Sequence, residues 1–372
     1  NQTPFYAESG GQIGDTGFIG QHEVTDTKKF QGAIFGHFVK LKGSLKVGDV
    51  VLAKIDGARR NKIRANHSAT HLLHKALRDT LGEQVTQKGS LVAPDRLRFD
   101  FANPKALTFE EVKIIERKVN ELIITNNCVD TNLKTPEEAI AEGAMALFGE
   151  KYGNEVRVVS MGISKELCGG THVRNTGDIG MFKIVSEEAI ASGIRRIEAV
   201  TGIAALEYVN RYEESFKQLA SQLKASEADV VTRISSIVDE RKKLEKDLTD
   251  IRLKLALKDE FPVETIGDMQ FLSKKLSDIP AGDLKSVVDV LKNKITKGVI
   301  AVSSVVDDKV SLLVYVTKDL TQNIKAGDLV KEAATEIAGN GGGKPDMAQA
   351  GGTNAAGLDK AFEKIRSMIG GK

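Results

Sequence analysis

The sequence predicts an α+β multidomain protein in four parts: a small β-barrel, an α+β domain, an antiparallel helical hairpin and a C-terminal α/β domain. Three observations carry this. Glycine-punctuated, β-rich runs fill residues 1–64. Apolar residues at heptad-like spacing occupy 203–261. On either side of that stretch, helix-spaced and strand-like apolar runs alternate, giving boundaries of 65–202 and 262–372.

Composition narrows the classes. A length of 372 residues suits more than one domain. The apolar set is 41% and there are 35 glycines, which excludes a wholly disordered chain. No apolar stretch reaches the roughly 18–20 residues a membrane span needs. Lys+Arg is 53 against 51 Asp+Glu, a net charge of +2, so any RNA contact must come from local patches rather than bulk charge. The two cysteines, Cys128 and Cys168, make no disulfide framework, and no basic-then-apolar leader opens the chain. A cytoplasmic protein is the expectation. The opening Asn1-Gln2-Thr3-Pro4 lacks Met and reads as mid-protein sequence, the mark of a fragment.

The elements follow in order. In the β-unit, Gly10, Gly11, Gly14, Gly17 and Gly20 break up the first run, and Ala33–Val39 reads as a strand. A helix is expected from Asn66, as N-cap, to Gly82, with Leu72, Leu73, Ala76, Leu77 and Leu81 on its apolar side. Strands are expected over Ser90–Phe101 around a Pro94-Asp95 turn, over Val156–Met161 and over Phe182–Glu188. Helices are expected over Thr108–Ile124 and, with Pro136 in its first turn, Thr135–Glu142. In the hairpin, Val209, Tyr212, Phe216, Leu219 and Leu223 form one apolar seam and Val230, Ile234, Ile237, Leu244, Leu248, Ile251 and Leu255 the other, with a break at Ala225-Ser226. The last part holds helices at Asp283–Ile295, Lys325–Ala338 and Ala356–Ile369, strands at Val299–Val305 and Val310–Val316, and a glycine loop at Gly339–Gly343.

Two pairs of residues suggest chemistry. His67 and His71 stand at i and i+4, on one face of the expected helix. Cys168-Gly169-Gly170-Thr171-His172 places a thiol and an imidazole at the ends of a short loop that glycines let bend. Either pair alone is weak. Together, in a chain with six histidines, they offer two or three nitrogens and a sulfur to a tetrahedral divalent ion, zinc first. His74 lies on the same helical face and reads as a supporting or packing residue. His22 and His37 read as structural, and Cys128 as a small core residue.

Asn66-His67-Ser68-Ala69-Thr70-His71-Leu72-Leu73-His74 and Leu167-Cys168-Gly169-Gly170-Thr171-His172-Val173 resemble the two metal motifs of the editing domain of the alanyl-tRNA synthetase family. That domain is shared, in looser form, with threonyl-tRNA synthetase and the free-standing alanyl-tRNA editing proteins. Thr3–Gly17 resembles the start of the β-barrel that precedes it, and Glu142–Gly153 and Gly339–Gly352 also fit the family. The resemblance covers essentially the whole chain in order. It implies a C-terminal portion of a bacterial-type alanyl-tRNA synthetase without the aminoacylation domain.

The resemblance implies hydrolysis of Ser-tRNA(Ala) and Gly-tRNA(Ala), with zinc held by His67, His71, Cys168 and His172. It places Gln87 in the aminoacyl pocket, where the bland alternative is a solvated turn residue. It also implies that residues 262–372 engage the outer corner of tRNA(Ala), and that this region mediates self-association. Arg59, Arg60, Lys62 and Arg64 form a cationic run beside the metal helix and are candidates for acceptor-end phosphates; Arg195-Arg196 is a weaker one. Gly10-Gly11-Gln12 is similar to a release-factor tripeptide, yet the preferred reading is a glycine turn with a strand-start glutamine. Gly343-Lys344-Pro345 lacks the Ser/Thr of a phosphate loop, so no ATP site is expected. Two readings compete: a free-standing deacylase acting in trans, and a tRNA-binding module with a structural zinc.

Overall fold

The computed structural model describes residues 2–32, 34–145, 153–258 and 260–371. The chain divides into two compact units, Asn1–Leu219 and Ala220–Lys372. No described helix is long and apolar enough to cross a membrane.

The first unit opens with β1 (Gly17–Ile19), β2 (His22–Phe30), β3 (Ile34–Lys40) and β4 (Ala53–Ile55), an antiparallel sheet of order β3-β2-β1-β4. The chain then enters α1 (Gly57–Leu81), capped by the Asp56 side chain, which accepts from the Arg59 N–H. This start lies upstream of the Asn66 cap expected from sequence. Asn66 is interior and buried: its Nδ2 donates to the Ala93 carbonyl and its Oδ1 accepts from the Thr201 hydroxyl, both at 2.7 Å. A short amide favours caps because it competes for nearby backbone; here more distant partners satisfy it. The Arg59–Arg64 run is therefore the first turns of the helix, not a segment ahead of it.

Next come β5 (Gln87–Val92), β6 (Leu97–Ala102), α2 (Phe109–Ile124), β7 (Val129–Lys134), α3 (Pro136–Ala141), β8 (Val156–Met161), β9 (Ser164–Leu167), β10 (Phe182–Ala191) and β11 (Ile194–Thr201). They build two antiparallel sheets, β10-β11-β6-β5 and β7-β8-β9. Capping boxes at Thr108/Glu111 and Thr135/Glu138 start α2 and α3. Leu72, Leu73, Ala76 and Leu77 of α1 pack with Ile115 and Val119 of α2 and with Phe99, Phe101, Phe182 and Ile197 of the sheet. Burying each large apolar side chain contributes roughly 1.5–3 kcal/mol, so α1 is a firm platform. Cys128 is exposed, its Sγ 3.7 Å from Asp130 Oδ1, and not the core residue expected; it precedes a strand whose residues are largely exposed. Residues 146–152 of the expected Glu142–Gly153 motif lie outside the described residues.

α4 (Gly202–Leu223) runs across the division between the units. In the second unit, α5 (Val230–Ala256) follows a short turn at Glu227–Asp229, and the expected break at Ala225-Ser226 falls between the two helices. The α5 seam residues Ile234, Ile237, Leu244, Leu248, Ile251 and Leu255 are exposed. Then come β12 (Val263–Ile266), β13 (Met269–Ser277), α6 (Leu284–Leu291), β14 (Gly298–Val306), β15 (Lys309–Val316), α7 (Ala326–Ala334), β16 (Asn340–Gly343), β17 (Met347–Gly352) and α8 (Leu358–Gly370). The sheet order is β12-β13-β14-β15-β17-β16, parallel only between β13 and β14, which α6 connects. Val299 and Ala301 face a core shared with α7 and α8, whereas Ile300 and Val302 face one shared with α6. Cover on both faces explains the apolar run Val299–Val302 in β14. The glycine stretch expected to be a loop supplies edge strand β16. A side chain at Gly341 would meet Ala350 and Val330, so glycine lets the strand lie close to its neighbours.

One buried ion pair ties the β-unit to α1. Arg60 Nε donates to Asp15 Oδ1 at 2.8 Å and Nη2 donates to the Pro4 carbonyl at 3.0 Å, while Asp15 Oδ2 accepts from the Tyr6 N–H at 2.6 Å. Both side chains are under a tenth exposed. Asp15→Ala strands a buried guanidinium and is expected to cost about 3–5 kcal/mol of stability, read from the urea unfolding midpoint of the full chain.

Candidate metal centre

The four residues selected by spacing lie together. His67 and His71 project from α1; Cys168 and His172 bracket the loop after β9. Each offers one ligand atom, all within 4.8 Å of one another. The three rings crowd, with centroids 4.5 Å apart for His67–His172, 5.1 Å for His71–His172 and 5.3 Å for His67–His71.

Each imidazole is aimed by a partner on its Nδ1. His67 Nδ1 donates to Gln12 Oε1 at 2.8 Å and His71 Nδ1 to Glu166 Oε2 at 2.7 Å; His172 Nδ1 meets Ser68 Oγ at 3.2 Å. The Nε2 atoms are left for the centre. Cys168 Sγ lies 3.4 Å from Nε2 of both His67 and His172. Tetrahedral ligands at zinc distances would stand about 3.6 Å apart. His71 Nε2 is buried with no hydrogen-bond partner, an orphan that an ion would satisfy. The donor set and its spacing thus fit a tetrahedral cation.

The electrostatics favour the thiolate and a neutral His172 but not a neutral His71. Burial opposes charge on His71, yet Glu166 and Cys168 outweigh burial and raise it well above its ordinary value, so an ion would have to displace that proton. Burial opposes ionising the Cys168 thiol, but the His67 and His71 charges and hydrogen bonds from His172 and His67 outweigh it and hold the thiol well below its ordinary value. Burial and the His67 charge push His172 down to about 3, which keeps it neutral. Glu166 is buried too, which favours its acid form, yet the His71 charge and hydrogen bond hold it down to about 2. A thiolate and a neutral imidazole are the forms that bind metal.

Glu166 and Gln12 were missed from sequence. Glu166 sits two residues before Cys168 on a strand, so it shares that residue's side of the chain; four residues of β9 are too few to display the alternation. Gln12 is fully buried, and its amide is spent on His67 and on Thr171, so it is neither a plain strand-start residue nor free to orient water. The loop bends as expected, bringing Cys168 and His172 together, with neither glycine in a left-handed conformation. Gly169 has open space around it, whereas a Cβ on Gly170 would overlap the His67 ring. Arg157 Nη1 anchors the loop through the Gly169 and Gly170 carbonyls at 2.9 and 3.2 Å.

The other sequence candidates separate. Gln87 opens β5 and lines a cavity of about 640 Å³ with His74, Arg78, Lys88, Met145 and Glu166. His74 packs on Phe99, lies 3.3 Å from Glu166 Oε1, and has no hydrogen-bond partner on either ring nitrogen. His22 accepts from the Lys42 N–H at 2.9 Å, and His37 pairs with Thr3 Oγ1 at 2.8 Å; both are structural. In the cationic run, Arg60 is spent on Asp15, and Arg59 donates to the Gly14 carbonyl at 2.8 Å. Lys62 is exposed, and Arg64 lines a second cavity of about 410 Å³ with Arg174 and Asp178. Arg195 and Arg196 are bound two-pronged to Glu187 and Asp100, which removes them as open phosphate contacts.

Three stretches match described families. Residues 156–198 match the threonyl and alanyl tRNA synthetase second additional domain, residues 268–371 the DHHA1 domain, and residues 1–59 the class II (A) tRNA synthetases. Cys168 and His172 of the cluster lie within the stretch that matches this additional domain of aminoacyl-tRNA synthetases, and His67 and His71 lie between the matched stretches. Alanine–tRNA ligase of Sinorhizobium medicae is 49% identical over 395 residues, and that of Paramagnetospirillum magneticum 50% over 386. Each alignment covers 100% of this chain and 44% of the relative. Along its whole length the chain is thus similar to the alanyl-tRNA synthetase family, and it spans less than half the length of these relatives. Among solved structures, the C-Ala domain of Aquifex aeolicus alanyl-tRNA synthetase is 23% identical, with a TM-score of 0.28 over 29% of this chain and 98% of that one.

Gly170→Ala is expected to displace the His67 ring, to cost about 1–3 kcal/mol of apo-protein stability through overpacking, and to lower whatever zinc the wild-type chain retains after dialysis; metal analysis reads the zinc and calorimetry the stability.

Proposed function

We propose that the first unit hydrolyses mischarged tRNA, with Ser-tRNA(Ala) and Gly-tRNA(Ala) as substrates, and that the longer protein it represents attaches alanine to tRNA(Ala) with ATP. The observation that carries this is the convergence of His67, His71, Cys168 and His172 beside a cavity that Gln87 lines, in a chain of this family. The chemical need is plain. A pocket for alanine cannot exclude the smaller glycine and rejects one added hydroxyl poorly, so a second, hydrolytic site is required.

The four ligands would hold zinc. When bound, the ion would supply a positive charge beside the ester, either to polarise it or to anchor its amino acid. Gln87 presents an amide to the substrate hydroxyl, which alanine lacks. His74, buried at the cavity wall with Nδ1 turned to Glu166 Oε1 at 3.3 Å and Nε2 without a partner, is placed to hold a water or the substrate amine through Nε2. Ile140 and Met145 add apolar surface to the cavity wall. A closed set of four protein ligands also supports a second reading, in which zinc only shapes the pocket.

For the tRNA, Lys62 and Arg64 remain as acceptor-end contacts after Arg59 and Arg60 are assigned to the fold. Residues 262–372 would take the outer corner of the tRNA and mediate self-association, and the protein would work in the cytoplasm.

Deacylation of Ser-tRNA(Ala) against Ala-tRNA(Ala), with and without chelator, tests the reading. Cys168→Ala is expected to lower bound zinc and seryl-ester hydrolysis together, by about tenfold or more. Full hydrolysis by metal-free Cys168→Ala protein would defeat a catalytic ion, and no hydrolysis by the zinc-loaded wild type would leave only a tRNA-binding module. Charge reversal at Lys62 and Arg64 is expected to weaken tRNA binding and flatten its salt dependence by roughly 0.7–0.9 in log–log slope for each phosphate no longer neutralised, read from binding titrations at several salt concentrations.

A further inference from the structure

We infer that Gln12 is a positioning residue for the candidate metal centre: its amide selects Nε2 of His67 as the atom that faces the ion and locks the Cys168–His172 loop against α1. The inference rests on the metal reading above.

The geometry decides the amide's orientation. The Thr171 backbone N–H can only donate, and the Gln12 atom 2.9 Å from it is therefore the oxygen. That same oxygen lies 2.8 Å from His67 Nδ1, so Nδ1 must carry the proton. The lone pair of His67 is then on Nε2, 3.4 Å from Cys168 Sγ. At its other end the amide donates from Nε2 to Thr171 Oγ1 at 3.0 Å, which prevents a flip. One side chain thus fixes a ligand on α1 and the middle of the loop that carries the other two.

The backbone is built to deliver it. Gln12 has no exposed surface. Gly10 and Gly11 ahead of it take φ of +57° and +82°, and a Cβ on Gly11 would stand 2.7 Å from the Ser90 carbonyl oxygen of β5. Only glycine allows so close a turn there. Across the gap, the absent side chain of Gly170 leaves room for the Gln12 oxygen and the His67 ring together. The β-unit therefore reaches into the centre, where Glu166 and Ser68 do the corresponding work for His71 and His172.

The test uses the full chain loaded with Co(II) or zinc. Gln12→Ala is expected to weaken metal affinity by roughly 10–100-fold, measured by chelator competition, and to change the Co(II) absorption spectrum, both persisting at temperatures well below the apo-protein melting transition. Gln12→Glu keeps an acceptor for His67 Nδ1 and the Thr171 N–H, and is expected to restore most of the affinity and the spectrum. Wild-type affinity and spectrum in Gln12→Ala overturn the inference alone. A loss in Gln12→Ala that tracks a fall in apo-protein melting and is left unrestored by Gln12→Glu reduces Gln12 to a packing residue and also overturns it. Failure of the wild-type chain to bind either ion overturns the metal reading and this inference with it.

Discussion

A buried imidazole has two nitrogens, and only one can be offered to a centre; the other must be spent on something that holds the ring still. In the first unit this demand arises three times within one cluster. Glu166 holds His71, Gln12 holds His67 and Ser68 meets His172, each from a different piece of chain. Without such partners, rings this deeply placed would each leave a polar atom unsatisfied at a cost of about 1–3 kcal/mol. Much of the surrounding architecture can be traced to supplying them.

The helix α1 makes the arrangement possible because its apolar side is immobilised. Leu72, Leu73 and Leu77 are fully buried against α2 and the sheet, so the opposite demands of coordination and packing fall on different sides of the same turns. Its first turns serve a separate purpose. Arg59 and Arg60 reach back to the Gly14 carbonyl and Asp15, which are close in sequence to Gln12. Cations that look available to a polyanion are instead fasteners for the segment that delivers an amide to the centre. A guanidinium bound this way is poorly replaced by an ammonium, because the planar fork is what matches the carboxylate.

How far the sequence could be read follows from the range of each interaction. The fold class and the long helices were legible, since apolar spacing over many residues records which side is buried. The start of α1 was not, because Asn66 has the chemistry of a cap and its real partners, Ala93 and Thr201, lie far along the chain. The four clustered side chains stood out by residue type, with imidazoles one helical turn apart and a thiol near another imidazole. Their supports did not: nothing local marks Glu166 or Ser68, and the Gly10-Gly11-Gln12 tripeptide gave no hint of a tie to His67, since these bonds span 95, 104 and 55 positions. Cys128 misled for the opposite reason, since neighbouring apolar residues suggested burial for a position that lies on the surface.

The separation of the two ligand pairs along the chain has a consequence for synthesis. His67 and His71 leave the ribosome about a hundred residues before Cys168 and His172, a delay of roughly 5–20 s at 5–20 residues per second. During that interval the nascent helix offers a half-built chelate, able to capture a passing cation only weakly. If the centre takes an ion, firm capture would wait for the thiol, and loading would fall at the end of the domain's maturation.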